Sequence, residues 1–457
     1  MMISAEELRS RLDRLAKEHH VTGAAAAVAV GEEVVTAHLG CANLATSMPV
    51  RHDTLFAAGS VTKVFTVALV MTLVDDGLVD LDAPVQRYLP DFRLADVEAS
   101  KHVTVRMLLN HTAGIPGHCM YDLPRSPEVV ARHLEVMREL PFTSPPGRFW
   151  SYSNGGMAVA GRVAEVVSGR TWDEALAERI LGPLGGNATT SAEELVLGST
   201  AVGHLVGPSG AVTRVPRLVV DSGNGPAGAT LWCDIDAMIA FGQMHLREGR
   251  SADGKTVLSP ESVALMQAPS LETLWGLPFE NWGLGWYIRG TGAARTLGHT
   301  GGNAGAHSIL TIAPEHGCAV AVLTNSTTGA VLNALLTEEL FQQLCGISAA
   351  PRMETTGDPV TAGLDLDRYA GTYEAEGGSL TVTVRNDRLH VEQHMNDSLA
   401  GHMTMISPDL LPLPPMTLTP FDADGRFLSD AGMPVSFVDG ASYVCAGRIF
   451  RRVSAAM

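Results

Sequence analysis

Ser60 and Lys63 stand three positions apart at the start of a long apolar segment. If this segment is a helix, the serine hydroxyl and the lysine amine share one face and are neighbours. A serine hydroxyl becomes a nucleophile when a base removes its proton, and a lysine can be that base when burial lowers its pKa. The ordinary reading of this spacing is a capping serine and a solvated lysine. Residues 64–70 are too apolar for a surface helix, however, which favours a nucleophile and its base.

Two later segments place further polar side chains among glycines. Tyr152-Ser153-Asn154 stands on a predicted loop just before a buried helix, so its side chains would project into a cleft. His299 lies in the run Gly298-His-Thr-Gly-Gly-Asn, just before an apolar strand, where glycines let a substrate backbone come close to the strand edge. Taken singly, the first segment is an ordinary helix cap, and the second is a glycine-rich turn with a solvated histidine.

Taken together and in this order, the three segments resemble the signature set of the serine β-lactamases and penicillin-binding proteins. Tyr-Ser-Asn second and His-Thr-Gly third resemble the class C β-lactamase-like branch, which includes esterases, D-amino-acid-specific peptidases, acyltransferases and peptide-cyclising thioesterases. The resemblance covers about residues 5–345. Three further segments near these motifs agree with it: Leu108-Leu-Asn-His-Thr-Ala-Gly-Ile, Gly225-Pro-Ala-Gly and Trp282-Gly-Leu-Gly-Trp. The chain has no Gly-x-Ser-x-Gly elbow, no His-Glu-x-x-His and no P-loop sequence.

The resemblance implies a role for each matching residue. Ser60 would form the acyl-enzyme. Lys63 and Tyr152 would share the work of deprotonating Ser60 and protonating the leaving group. Asn154 would hydrogen-bond a substrate amide.

The third segment would complete the site. Gly301 and Gly302 would line the substrate, with the backbone N–H groups of Ser60 and Gly302 as the oxyanion hole. His299 takes the place of the lysine of penicillin-sensitive enzymes. A neutral imidazole would bind a substrate carboxylate more weakly, which favours esters, thioesters or amides without an obligatory carboxylate.

Composition limits the partners and the surroundings. The 457 residues carry a formal charge of −17, with 49 acidic and 32 basic residues, so nucleic acid and anionic membranes are disfavoured. No leader or membrane-spanning run is visible, which predicts a soluble, cytoplasmic protein. The six cysteines are scattered and read as free, buried thiols. The sixteen histidines, His111 included, lack metal-ligand spacing and read as surface or capping groups; no metal or organic cofactor is implied.

The periodicity of apolar residues predicts an α/β (α+β) fold, an antiparallel sheet flanked by helices with a mostly helical lobe beside it. Leu8, Leu12 and Leu15 repeat at helical spacing after Ser4, a predicted N-cap. The expected strands are residues 21–30, 34–39, 284–288, 306–313 and 319–323, and the expected helices are 62–76, 127–140, 156–168, 172–180 and 330–344.

The C-terminal part has a different character. We predict a serine hydrolase domain over residues 1–347, a linker over 348–362, and a small all-β barrel or sandwich over 363–457 that resembles a lipocalin-like module. This module would be either a substrate-selecting wall or a structural appendage. Arg448 lies in one of its turns and is a candidate contact for a substrate carboxylate, with a solvated loop charge as the ordinary alternative.

The leading functional hypothesis is a serine hydrolase or acyltransferase that acts on a small ester or peptide inside the cell. The alternative is a penicillin-binding-protein-type thioesterase, which releases and macrocyclises a nonribosomal peptide presented by a carrier protein. β-Lactamase activity, D-Ala-D-Ala carboxypeptidase activity and a catalytically silent binding module are less expected.

Overall fold

The computed structural model describes residues 2–207, 209–218, 221–274, 277, 279–348, 364–397, 399–401, 414–422, 424–430 and 432–455. The predicted linker, apart from its first residue, lies outside these described residues. Within them, each helix is too short or too polar to cross a membrane.

The helices follow the predicted order. The N-terminal helix begins after Ser4, whose hydroxyl accepts a hydrogen bond from the Glu7 N–H, as expected for an N-cap. The α-helices are α1 (Ala5–Glu18), α2 (Thr62–Asp75), α3 (Val97–Ser100), α4 (Val105–Leu109), α5 (Val129–Met137), α6 (Asn154–Ser168), α7 (Trp172–Leu176), α8 (Gly182–Leu184), α9 (Ala192–Leu197), α10 (Ile235–Leu246), α11 (Pro260–Gln267) and α12 (Gly329–Cys345).

The strands form one large sheet, a closed barrel and two small sheets. Those of the main body are β1 (Gly23–Val30), β2 (Glu33–Asn43), β3 (Met48–Pro49), β4 (Phe56–Ala57), β5 (Ala188–Thr189), β6 (His204–Val206), β7 (Val212–Arg214), β8 (Trp232–Cys233), β9 (Leu271–Glu272), β10 (Asn281–Trp282), β11 (Tyr287–Arg289), β12 (Thr296–Asn303), β13 (Ala306–Ala313) and β14 (Cys318–Thr324). Those of the barrel are β15 (Gly371–Ala375), β16 (Gly378–Arg385), β17 (Arg388–Met395), β18 (Met416–Pro420), β19 (Arg426–Ser429), β20 (Pro434–Val438), β21 (Tyr443–Cys445) and β22 (Ile449–Ala455).

The large sheet has the order β3-β2-β1-β14-β13-β12-β11-β10-β9 and is antiparallel throughout. The interior strand β1 is rich in alanine, and its alternate residues enter two different cores. One core packs against α1 and α12, and the other packs against α10 and the helical lobe that contains α2 and α6. The predicted sheet with flanking helices and a helical lobe is therefore confirmed.

The C-terminal module is a closed barrel in the order β15 to β22, with β22 paired to β15. Its core contains an aromatic cluster: Tyr369, Tyr373, Phe427 and Phe437. The predicted small barrel is confirmed. Two of its strands are very short: β19 has four residues and β21 has three.

Candidate active site

Ser60 lies in a tight turn, Gly59–Val61, that leads directly into α2. Residues Thr62 to Leu73 of α2 are all buried, so Lys63 has no exposed surface. The Lys63 amine donates hydrogen bonds to the Ser60 hydroxyl at 3.0 Å and to the Ala227 carbonyl at 2.5 Å. The Ser-x-x-Lys spacing therefore places the two groups in contact.

The electrostatic setting of Lys63 favours the uncharged amine. Burial, and then the positive charge of Arg448, hold the pKa of Lys63 well below its usual value. Neither hydrogen-bond partner is an anion. An amine in this state can accept the proton of the hydroxyl that it touches.

Tyr152 lies on the loop that ends at α6, where Ser153 is the N-cap. Its hydroxyl is hydrogen-bonded to the Ser60 side chain, and the Lys63 amine lies 4.7 Å from its ring centroid. Burial raises the pKa of Tyr152, while the bond to Ser60 and the charge of Arg448 oppose this rise. The phenol therefore remains protonated at neutral pH and can act as a proton donor.

The glycines of the third segment are required by a close approach of main chains. A Cβ on Gly301 would lie 2.2 Å from the Ala58 carbonyl and 3.0 Å from the Ser60 nitrogen. A Cβ on Gly59, which has φ +50°, would lie 2.7 Å from the Gly302 nitrogen. Strand β12 thus packs directly on the turn that carries Ser60, which brings the Gly302 N–H beside the nucleophile.

His299 lies on β12 and is buried, with its ring centroid 6.0 Å from that of Tyr152. Its Nδ1–H donates to the Thr300 carbonyl at 2.7 Å. Burial is the main cause that lowers the pKa of His299 to about 3; a protonated Lys63 would act in the same direction, and the bond to Thr300 opposes the shift. His299 is therefore neutral at physiological pH, and its Nε2 has no hydrogen-bond partner among the described residues.

Arg448 enters the site from the barrel. Its Nε donates to the Tyr152 carbonyl at 3.2 Å, and its Nη1 lies 2.6 Å from the ring nitrogens of His118. The next residue, Ile449, donates its N–H to the Ser151 hydroxyl. Arg448 is half-buried rather than a solvated loop charge, because it is held between the barrel and the Tyr152 loop.

Two cavities adjoin this cluster. The larger, about 530 Å³, lies between the main body and the barrel and includes Tyr152, His299 and Arg448 in its lining. Trp150 and Trp282 of the main body, and Leu380, Met395 and Phe450 of the barrel, supply apolar walls. The smaller, about 100 Å³, is lined by Ser60, Asn154 and Gly302 among others. The predicted site residues are therefore divided between two cavities: Tyr152, His299 and Arg448 line the larger, and Ser60, Asn154 and Gly302 line the smaller.

His111 was missed as a site residue, and its expected surface or capping role is wrong. It is buried, its ring centroid lies 4.7 Å from that of Tyr152, and its Nδ1 accepts a hydrogen bond from the Ser153 N–H. Burial is the main cause that holds its pKa well below normal, and the positive charge of Arg448 acts in the same direction. In the sequence, the stretch Leu108-Leu-Asn-His-Thr-Ala-Gly-Ile supported the family resemblance but indicated no role for its histidine.

The fold and this cluster define a β-lactamase-like serine enzyme. The chain belongs to the Beta-lactamase family, whose model matches residues 8–344 and whose members are serine hydrolases.

Three similar proteins extend this assignment. The chain is 37% identical over 383 residues to Penicillin-binding protein 4 of Amycolatopsis lactamdurans, covering 81% of this chain and 98% of that protein. It is 34% identical over 202 residues to Esterase EstB of Burkholderia gladioli, covering 40% and 51%. The crystal structure of SurE with D-Leu matches with a TM-score of 0.79 and 26% identity, over 98% of this chain and 99% of that one. The last match includes the barrel.

Proposed function

We propose that the protein is a serine acyl-transfer enzyme in which Ser60 is the nucleophile, Lys63 the base and Tyr152 the proton donor. The observation that carries this proposal is the 3.0 Å contact between the Ser60 hydroxyl and the buried Lys63 amine. Burial beside a cation favours an amine that is free to accept a proton.

Acylation then proceeds in balanced steps. Lys63 takes the Ser60 proton as Oγ attacks the substrate carbonyl. The resulting oxyanion accepts hydrogen bonds from the backbone N–H groups of Ser60 and Gly302. As the bond from carbon to the leaving group breaks, Tyr152 gives its proton to that group and recovers one from the Lys63 ammonium.

Deacylation reverses the roles. Water or an amine attacks the Ser60 ester, the same pair removes the proton of the attacking group, and the Ser60 hydroxyl is restored. The incoming nucleophile lies on the Tyr152 side of Ser60, where the large cavity opens.

The substrate class is an ester, thioester or peptide amide whose acyl residue has the D configuration. The neutral state of His299 supports substrates without an obligatory carboxylate. The whole-length likeness to a structure that contains D-Leu supports the configuration. We expect this activity in the cytoplasm.

The test is thiol release from N-acetylcysteamine thioesters of N-acetyl-D-leucine and N-acetyl-L-leucine. We expect a higher kcat/KM for the D thioester. We also expect Lys63→Met to lower the acylation rate by about 10²- to 10⁴-fold, the usual range for general acid–base catalysis. Lys101→Met, which changes an exposed lysine, is the matched control. A Lys63→Met protein with the full acylation rate would contradict the assigned base.

A second candidate function is the release and macrocyclisation of a carrier-bound peptide. The apolar cavity of about 530 Å³ supports it, because a barrel wall beside the acyl-enzyme limits water and leaves room for a peptide amine. A peptidyl thioester with a free N-terminal amine distinguishes the two outcomes. A cyclic product supports this second function. If peptides of several lengths all give linear acid and no cyclic product, this second function is excluded.

A further inference from the structure

Two of the six cysteines, Cys318 and Cys345, form a pair between α12 and the large sheet. All six are free thiols. The sequence predicted that all would be buried, which is wrong for Cys41 and Cys345, because both are partly exposed near the ends of their elements. Cys318 is buried at the start of β14. The proposed mechanism uses neither member of the pair.

Cys318 faces α12, because side chains alternate between the two faces of a strand. Cys318, Val320 and Val322 of β14 belong to the core that packs against α1 and α12. The residues between them belong to the other core, which contains the helical lobe with α2. The side chain of Cys318 therefore points to the face of the sheet opposite to Ser60.

Cys345 reaches the same end of the sheet from α12. Phe341 packs in the core shared with β14, and Cys345, four residues later, lies on the same helical face. The helix starts beside the end of β14, since a Cβ on Gly329 would lie 2.0 Å from the Thr324 Oγ1. From there, Cys345 lies about 24 Å along the helix and Cys318 about 20 Å back along the strand. The helix thus runs antiparallel to β14 and ends over Cys318.

The two thiols are hydrogen-bonded to each other, and they differ in acidity. The bond from Cys318 lowers the pKa of Cys345 against the effect of burial, and the charge of His316 acts in the same direction as the bond. The same bond, and then burial, raise the pKa of Cys318. Cys345 is therefore the accessible thiol that ionises first, and Cys318 is a second thiol in contact with it. Redox-active cysteines commonly have this arrangement, a low-pKa thiol beside a resolving one.

We propose that Cys318 and Cys345 form a reversible intrachain disulfide when the protein meets a peroxide. The Cys345 thiolate attacks one peroxide oxygen and the O–O bond breaks. The sulfur becomes a sulfenic acid, and the released hydroxide takes up the proton that Cys345 had lost and leaves as water. The Cys318 sulfur then attacks the Cys345 sulfur, the S–O bond breaks, and the departing hydroxide leaves with the Cys318 proton as a second water. Two thiols are oxidised by two electrons in total, and one peroxide is reduced to two waters.

The disulfide closes the loop of residues 318–345 and ties the end of α12 to the sheet. Disulfides in reducing compartments are usually transient and redox-sensing, which fits a pair with one accessible thiol. Because the pair lies across the sheet from Ser60, this inference is independent of the proposed function. Its test therefore reads the thiols themselves rather than turnover.

The test treats full-length wild type with hydrogen peroxide, blocks the remaining thiols with N-ethylmaleimide, and maps the unreduced peptides by mass spectrometry. We expect one cross-link, between Cys318 and Cys345, with the loss of two of the six free thiols and their recovery in dithiothreitol. Cys41→Ser removes the other partly exposed thiol; it is the matched control and should keep the cross-link. Cys345→Ser should form none.

Cys318→Ser tests the order of attack. The sulfenic acid of Cys345 then lacks its resolving thiol, so dimedone should trap it on Cys345. A cross-link between other cysteines of wild type would overturn the inference. So would six thiols that survive a peroxide dose sufficient to oxidise glutathione in the same solution, or a dimedone adduct on Cys345 of wild type without the cross-link. These wild-type measurements need no variant.

Discussion

At the scale of single residues, the site divides the proton work between two groups of different chemistry. Burial lowers the pKa of the Lys63 amine and raises that of the Tyr152 phenol. The same dry environment therefore favours the neutral form of both groups. A neutral amine is a base and a neutral phenol is an acid, so the pair is prepared for acylation before substrate binds.

This division predicts how Tyr152→Phe behaves. Without the phenolic proton, acylation should slow most for substrates whose leaving group must be protonated. The acylation rate should therefore fall about 10²-fold or more for an amide. For a p-nitrophenyl ester, whose leaving group departs without a proton, the fall should be much smaller. Single-turnover rates on both substrates measure this. Equal losses on the two would contradict the assigned role of Tyr152.

The sequence predicted the residues that carry a spacing or an ordered motif. Ser60 and Lys63 meet because positions three apart share a helical face, and their contact with Tyr152 follows the resemblance. His111 carries no such pattern. Its position depends on how the chain folds around α6, which brings its ring to within 4.7 Å of the Tyr152 ring although about 40 positions separate them.

At the scale of elements, the site depends on three close packings. Strand β12 touches the turn before α2 through glycines, and the buried α2 holds Lys63 away from water. The turn between β21 and β22 holds the Tyr152 loop through Arg448 and Ile449. The barrel thus positions the Tyr152 loop of the main body and also forms one wall of the large cavity.

Arg448 should influence acylation through the charge that it places near Lys63. Arg448→Met removes a positive neighbour, so the pKa of Lys63 should rise. The acid limb of the acylation pH profile should then move to higher pH. Arg451→Met, at an exposed position on the strand β22 that follows Arg448, is the control and should leave the limb in place. A limb that stays fixed, or moves to lower pH, in Arg448→Met would contradict this coupling.

Element prediction succeeded where the periodicity was strong. The strand Ala306–Ala313 and the helix Gly329–Cys345 match their predicted ranges to within one residue. The glycine-rich run at His299 read singly as a turn, yet it is part of β12, because pairing with β13 outweighs the low strand preference of glycine. The short strands β19 and β21 are stabilised by barrel closure, which a local pattern does not reveal.

At the scale of the whole molecule, the barrel and the main body together enclose the cavity beside Tyr152 and His299. Its residues form one wall of the large cavity, and the surface ion pair between Arg148 and Asp439 joins the two parts at 2.8 Å. Between a substrate-selecting wall and a structural appendage, which the sequence left open, the geometry supports the wall. The sequence did not predict this contact, because a contact between two domains depends on the surfaces of both, whereas residue patterns describe one segment at a time.

Buried neutral histidines should make the whole protein sensitive to acid. Burial lowers the pKa of His245 from its usual 6.5 to about 3, so as pH falls the unfolded chain takes up a proton before the folded one. Stability is therefore lost as pH falls below about 6.5, by about 2 kcal/mol between pH 6.5 and 5 for this residue. His245→Leu should reduce that loss, measured by urea unfolding at both pH values.

The control for this prediction is His52→Leu, at an exposed position, which should leave the acid sensitivity unchanged. An acid-induced loss of stability in His245→Leu as large as that of wild type would show that His245 is protonated in the folded state or solvated near pH 5.

The central claim is that Ser60 carries the acyl group, and covalent labelling tests it most directly. Wild type is treated with a fluorophosphonate, and intact mass and peptide mapping locate the adduct, beside Ser60→Ala and the exposed-site control Ser10→Ala. We predict one adduct on Ser60 in wild type and in Ser10→Ala, with neither labelling nor thioester turnover in a folded Ser60→Ala. An adduct on another serine, or turnover that persists in Ser60→Ala, would contradict the account.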